Sequence, residues 1–330
     1  MRVSVIGAGS WGTTVAHLAA HNVPTLLWAR RPELAEAINE RHENADYLAG
    51  YQLHTELRAT SSIEQAAGQA DLMVIGVPSH GFRDVLSELS GHVRPWVPVV
   101  SLTKGLEQGT RMRMSEVVHE LLPGHPVGVL TGPNLAKEIL GGYAAAAVVG
   151  MADEFIAKEV QRVFVNDNFR VYFHGDVIGA ELGGVLKNVI AIAAGMAVGL
   201  GAGDNTRAAV ITRGLAEITR LGVAMGGDPM TFAGMAGMGD LIATCISPQS
   251  RNRYVGEQLG RGRKIDEIVA EMHQVAEGVK SCRVVLELAD ELGVYMPITA
   301  EVVAVCHEGR TAEEAYRGLI RRQARHEHHR

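Results

Sequence analysis

Three glycines, Gly7, Gly9 and Gly12, form a G-x-G-x-x-G string. It follows the apolar run Arg2–Ile6 directly and opens a helical stretch from Trp11 to His21. That context is what a phosphate-binding turn requires. Gly7 can make the tight turn, Gly9 lets backbone approach a pyrophosphate, and Gly12 lets the helix lie close to the strand, with its N-terminus facing the phosphates. A second apolar run, Thr25–Ala29, leads into Arg30 and Arg31. A site selective for NAD favours Asp or Glu at that point. Two guanidiniums instead suit a 2′-phosphate through charge-assisted, bidentate hydrogen bonds, so NADP(H) is expected to be accepted. The alternative is that either arginine is a solvated charge near Glu33.

Further polar residues interrupt apolar surroundings. Lys187 and Asn188 stand in a helical stretch that is otherwise apolar from Leu182 to Gly203. A lysine there is either functional or snorkels to solvent from the helix flank. Asp240 follows Gly237 and Gly239 at a helix start, where a carboxylate also favours the helix N-terminus without any further role. Ser250-Arg251-Asn252-Arg253 can open a helix. Its N–H groups and Arg251 could grip a phosphate dianion, or the string could simply cap a helix and leave its arginines solvated. Cys245 has no partnered base at useful spacing and reads as a buried small hydrophobe. His80, in the loop Pro78-Ser-His, reads as a loop histidine.

These residues need elements to position them. Short apolar runs at Asp71–Val77, Val97–Leu102, Val127–Leu130, Ala145–Val149 and Phe169–Phe173 continue the pattern begun by the first two. Continuous apolar strands alternating with helices indicate an α/β, Rossmann-type, doubly wound parallel sheet. The pattern changes near residue 176. Helical spacing then dominates at Glu181–Leu200, Asn205–Leu221, Ile265–Met272, Ser281–Leu292 and Thr299–Glu308. An N-terminal dinucleotide-binding domain, 1–176, and an all-α domain, 177–330, are expected. The loop carrying Lys104 follows one strand, and Thr131-Gly132-Pro133-Asn134 follows another. Both lie where open α/β sheets bind ligands.

The 330 residues are 47% hydrophobic and 21% charged, with a net charge of -6. That balance fits a globular protein and gives no general basic field for nucleic acid or an anionic membrane. Cys245, Cys282 and Cys306 are few, odd in number and lack metal-ligand spacing, so neither a disulfide framework nor a metal site is expected and a reducing, cytoplasmic setting fits. The start of the chain lacks the basic and apolar regions of a signal peptide. The run Val189–Gly203 is too short to span a bilayer and is broken by glycines. His326, His328 and His329 read as part of a frayed, charged tail.

Taken in order, GAGSWG, LTKGLE, GPNLAKE, ELGGVLKNVIAIAAG, GMGDL and SRN make the chain resemble the bacterial-type NAD(P)-dependent glycerol-3-phosphate dehydrogenases over nearly its whole length. The resemblance implies reduction of dihydroxyacetone phosphate to sn-glycerol 3-phosphate, a supply of backbone for phospholipids, and a homodimer. It implies that Lys187 is the catalytic lysine and that Lys104, Gly132, Asn134, Asn188, Asp240, Ser250, Arg251 and Asn252 face substrate. Ser10, Trp11, Arg30, Arg31, Lys104, Ala136, Arg251, Val275 and Glu277 match cofactor-side positions. Asn134 stands where the family commonly has Ser. An ammonium near the ketone oxygen can stabilise developing charge and deliver a proton. The reverse reaction needs that group neutral, so burial and a second cation such as Lys104 are expected to lower its pKa. Asp240 could orient Lys187 or accept from a substrate hydroxyl.

Two alternatives remain at this point. One is another dehydrogenase of the same architecture acting on a different 2-oxo or 3-hydroxy substrate. The other is a non-catalytic NADP(H) sensor, which would keep the glycine turn but need none of Lys187, Lys104, Asp240 or Arg251.

Overall fold

Eight strands form one sheet: β1 (Val3–Ile6), β2 (Thr25–Trp28), β3 (Arg58–Thr60), β4 (Leu72–Ile75), β5 (Val99–Ser101), β6 (Val127–Thr131), β7 (Ala145–Met151) and β8 (Phe169–His174). Their order across the sheet is β3-β2-β1-β4-β5-β6-β7-β8. This computed structural model describes residues 1–272 and 276–321, so Val275 and the histidines of the tail lie outside the described residues. The chain divides into two compact units, Met1–Val185 with Gly222–Asp240, and Leu186–Leu221 with Leu241–Arg330.

The first unit holds the whole sheet. β1 to β6 are mutually parallel, with Val3 opposite Thr25 on one side and Leu72 on the other. Strands β1, β2 and β4 are buried along their entire length, which is why they read as unbroken apolar runs. The strand order reverses between β1 and β4, so the loops after these strands border the crevice where doubly wound sheets bind nucleotides. Two features depart from the expected parallel sheet. β3, only three residues long and half exposed, carried no apolar signal. β7 runs antiparallel to β6, and β8 then runs parallel to β7. The link from β6 to β7 contains only the five-residue helix Ala136–Leu140. Such a helix spans about 7 Å, too little to carry the chain back to the other end of β6, so the strand direction reverses.

The helix Val177–Gly199 begins in the first unit and carries on into the second. Asp176 precedes it and accepts from the Gly179 N–H at 2.8 Å. The second unit is entirely helical among the described residues, with Asp204–Ala224, Arg251–Gly260, Glu277–Glu291 and Pro297–His307 as its main further helices. Most of these overlap the helical stretches read from the sequence. Arg251–Gly260 is marked in the sequence only at its start, Ser250–Arg253, since its mixture of Arg, Asn, Tyr and Gly shows no clear apolar stripe. It packs on Val177–Gly199 through glycines. A Cβ on Gly195 would lie 2.1 Å from the Arg253 carbonyl oxygen, and one on Gly256 would lie 2.0 Å from that of Ile192. This backbone-to-backbone approach fixes the Ser250–Arg253 turn relative to the helix that carries Lys187. Val177–Gly199 is long and apolar enough to cross a membrane, but it is buried within the protein and serves as a core helix.

Candidate active site

The glycine turn is built by exclusion of side chains. Gly7 has φ +117°, and a Cβ there would lie 2.7 Å from the Gly76 carbonyl oxygen. A Cβ on Gly12 would lie 2.0 Å from the Gly7 carbonyl oxygen. Gly9 is different: nothing lies within 4 Å of its would-be Cβ. Two of the three glycines therefore close the turn, while Gly9 leaves open space over the N-terminus of the helix Ser10–Ala20. Trp11 Nε1 is buried without a hydrogen-bond partner among the described residues. The turn, the helix end and this donor fit a dinucleotide pyrophosphate.

A segment that sequence reasoning missed braces the turn. Asn44 is fully buried and donates to the Ala8 carbonyl at 2.9 Å and to Thr13 Oγ1 at 2.8 Å. Ser10 Oγ donates to the Tyr47 carbonyl at 3.4 Å. Next to these anchors, the exposed carboxylate of Asp46 pairs with the exposed guanidinium of Arg31. Arg31 precedes the helix Pro32–Arg41, directly beyond β2. Such contacts span 15 to 37 positions of sequence and leave no local periodicity to read.

The loops after β5 and β6 meet in the same unit. Lys104 donates to the Gly132 carbonyl at 3.1 Å and to Asp240 Oδ2 at 2.6 Å. The Asp240 side chain is 1% exposed and that of Lys104 18%. Thr131 Oγ1 and both ends of the Asn134 amide are buried without partners among the described residues. Buried polar atoms left in this state are costly unless something else satisfies them. Gly183 and Gly184 make room here. A Cβ on Gly183 would lie 2.3 Å from the Ala236 carbonyl oxygen, and one on Gly184 would lie 2.9 Å from Thr131 Oγ1 and 3.3 Å from Lys104 Cγ. Ala136 begins the helix Ala136–Leu140 just beyond this loop, and His80 lies in the 3-10 turn Ser79–Gly81 after β4.

Glu181, also missed by sequence reasoning, pins the start of Val177–Gly199. It accepts from the Ser115 N–H at 3.0 Å and hydroxyl at 2.5 Å, and from Arg113 at 3.2 Å. Burial raises its pKa, against the opposing Ser115 hydroxyl and Arg113 charge.

In the helical unit, Lys187 is 6% exposed, and its ammonium donates to Thr244 Oγ1 at 2.6 Å. Thr244 was not singled out from the sequence, although it follows Asp240 by one helical turn. Asn188 accepts through Oδ1 from Asn252 Nδ2 at 3.0 Å, and Asn252 Oδ1 accepts from the Gly278 N–H at 2.9 Å. One amide hydrogen of Asn252 is thereby committed to Asn188 and one remains. Ser250 Oγ accepts from the Arg253 N–H at 3.2 Å and caps the helix. Arg253 turns to Glu257 at 3.2 Å, while Arg251, an exposed residue at the start of the helix, stands close enough to Glu277 to feel its charge. The surroundings of Arg251 lower its pKa by desolvation, and Glu277 opposes this, yet a guanidinium stays charged at neutral pH. Cys245 is buried.

A Rossmann sheet with a braced phosphate turn, followed by a helical unit holding a buried lysine, defines a two-domain nicotinamide-dependent dehydrogenase. Residues 2–157 match the N-terminal domain of the NAD-dependent glycerol-3-phosphate dehydrogenase family, and residues 176–317 match its C-terminal domain. The chain belongs to this family. It is 59% identical over 329 residues to a glycerol-3-phosphate dehydrogenase [NAD(P)+] of Mycobacterium avium, covering 99% of this chain and 96% of that one. It is 58% identical over 329 residues to such an enzyme of Sphingopyxis alaskensis, covering 100% and 99% of the two chains. The crystal structure of glycerol-3-phosphate dehydrogenase from Coxiella burnetii superimposes with a TM-score of 0.92 at 34% identity, covering 97% of this chain and 99% of that one.

Proposed function

We propose that the chain reduces dihydroxyacetone phosphate to sn-glycerol 3-phosphate, reversibly, with NADPH or NADH. Lys187 carries the reading. It is nearly fully buried, yet held by a hydroxyl at 2.6 Å. An ammonium held in a buried setting acts strongly on the charge that develops as a ketone becomes an alkoxide. Bound NADPH or NADH supplies a hydride to the ketone carbon. Lys187 holds a proton at Nζ and delivers it to the ketone oxygen. Thr244 fixes the direction of Nζ.

The other residues take the roles that their chemistry allows. Arg251 forks onto the substrate phosphate, helped by the N-terminus that Ser250 caps and by the remaining amide hydrogen of Asn252. Asn188 holds Asn252 in place. Gly132, Asn134, Lys104 and Asp240 meet the hydroxyl-bearing end, where the buried Asn134 amide has no partner among the described residues. Gly7, Gly9, Gly12, Ser10 and Trp11 bind the pyrophosphate side, Arg30 and Arg31 the adenosine side, and Ala136, Glu277 and Val275 the rest of the dinucleotide. Residues 1–176 act as the cofactor domain and 177–330 as the substrate domain. A homodimer working in the cytoplasm, and supply of glycerol phosphate for phospholipid synthesis, complete the reading.

The test is loss of reduced-cofactor absorbance when purified protein meets dihydroxyacetone phosphate, with NADPH and NADH in parallel. Rapid oxidation is expected with at least one of them. Tight cofactor binding without oxidation would discard the substrate assignment and leave the sensor reading.

A further inference from the structure

The end of β2 presents two arginines where an NAD-selective site would present an acid. Taken alone, this favours NADPH. The fold adds a carboxylate from elsewhere: Asp46, in the short helix Ala45–Leu48, pairs with Arg31.

Asp46 is held in register with the phosphate turn. Two residues before it, Asn44 is buried and bonded to the Ala8 carbonyl and to Thr13. One residue after it, the Tyr47 carbonyl accepts from Ser10 of the turn itself. The Tyr47 and Leu48 amides close back onto the Asn44 carbonyl at 3.3 and 2.8 Å. The segment bearing Asp46 is thus tied to the pyrophosphate cradle at both ends, and the carboxylate stays on the side of β2 from which Arg31 emerges. The Asp46 and Arg31 side chains are 50% and 59% exposed, so a ligand can reach them.

We propose that Asp46 is a specificity-determining residue for the cofactor. Its carboxylate occupies Arg31 and restrains the preference for NADPH that Arg30 and Arg31 would otherwise impose. The inference rests on the reading above that this arginine pair faces the adenosine 2′ position. A 2′-phosphate brings a dianion towards a guanidinium that is already paired, and it also meets a like charge. It competes with Asp46 for the Nη2 donor and for the charge of the guanidinium. A 2′-hydroxyl brings no charge and incurs no such competition. The chain therefore tolerates both cofactors by dividing one guanidinium, not by lacking a reader. The pair is exposed, so the effect is moderate and screened by salt.

The test measures dissociation constants for NADPH and NADH by reduced-cofactor fluorescence, without substrate, in the wild type, Asp46→Asn, Arg31→Ala, the double variant of these two, and Arg30→Ala. Asp46→Asn is expected to raise the affinity ratio of NADPH to NADH by about threefold to tenfold, through tighter NADPH binding. The gain should shrink at high salt and be smaller in the Arg31→Ala background, where only the relief of like charge is left. An unchanged ratio in Asp46→Asn, or a shift towards NADH, overturns the proposal. If Arg31→Ala weakens NADPH while Asp46→Asn does nothing, the arginine reading stands and only the role of Asp46 fails. If Arg31→Ala and Arg30→Ala both leave NADPH binding unchanged, the arginine reading itself fails, and the proposal with it.

Discussion

The phosphate turn and the lysine helix are built by opposite means. At Gly7–Gly12 the working parts are backbone N–H groups and the space left by missing side chains. Around Lys187 they are side chains, each tied to a neighbour: Lys187 to Thr244, Asn188 to Asn252, and Asn252 to Gly278. The first arrangement is hard to separate from folding, because the atoms that would clash with a new side chain are backbone. In the second, a polar atom can be removed while the helices remain, so catalysis and stability come apart.

Alanine at the glycines sharpens the contrast most. Gly12→Ala puts a methyl carbon 2.0 Å from the Gly7 carbonyl oxygen. A stability loss of about 3 kcal/mol or more is expected, together with loss of cofactor binding. Gly9→Ala meets nothing within 4 Å and should keep its melting temperature, while cofactor affinity falls by about tenfold or more. Equal melting temperatures for the two variants would break the distinction between closing and opening glycines.

Titration separates the two units next. In the first unit, His17 lies against His21 and His54, and burial foremost, then their charges, lower its pKa to about 4. A histidine depressed below its unfolded value of 6.5 supports folding above that pH, and the support is lost as pH falls towards 4. In the second unit, Glu217 accepts from the Ile298 N–H at 2.6 Å and the Thr299 N–H at 3.1 Å, at the start of Pro297–His307. Burial pushes its pKa up to about 7, against those hydrogen bonds. A raised carboxyl supports folding fully below its unfolded value of 4.5, and that support is lost as pH rises to about 7. Each contribution is at most about 3.5 kcal/mol. In denaturant titrations from pH 4 to 8, Glu217→Gln should lessen the decline in stability towards neutrality, and His17→Gln should lessen the decline towards acid. Either variant acting on the opposite limb would contradict these assignments.

The smallest expected effect concerns Asn252. Asn252→Ala strands the Gly278 N–H and removes one hydrogen bond from Asn188, costing about 1–2 kcal/mol in stability. It should also raise the KM for dihydroxyacetone phosphate more than it lowers kcat. A variant with unchanged stability would deny Asn252 its bracing role.

What the sequence disclosed follows the same division. Gly7, Gly9 and Gly12 are legible because a turn between strand and helix is a local event with a fixed spacing. Lys187 is legible because a charge in an apolar helix stands out. Thr244, Asn44, Asp46 and Glu181 were not legible. Small polar or charged residues carry no signal until folding brings them beside a partner tens of residues away. Glu181 and Ser115, for example, are 66 positions apart. The antiparallel β7 was hidden as well, since an apolar run does not record its direction. The pair Gly183–Gly184 had looked like part of an apolar helix, and only the approach of Ala236 and Thr131 explains it.

The central claim is that the buried ammonium of Lys187 supplies the proton for carbonyl reduction. The most direct measurement is the steady-state rate of NADPH oxidation by dihydroxyacetone phosphate in Lys187→Met, at saturating concentrations of both, with the NADPH dissociation constant determined in parallel. The account predicts that kcat falls by about 10²–10⁴-fold while NADPH affinity and melting temperature stay close to wild type. A folded variant that binds NADPH and turns over within a few fold of wild type would contradict it.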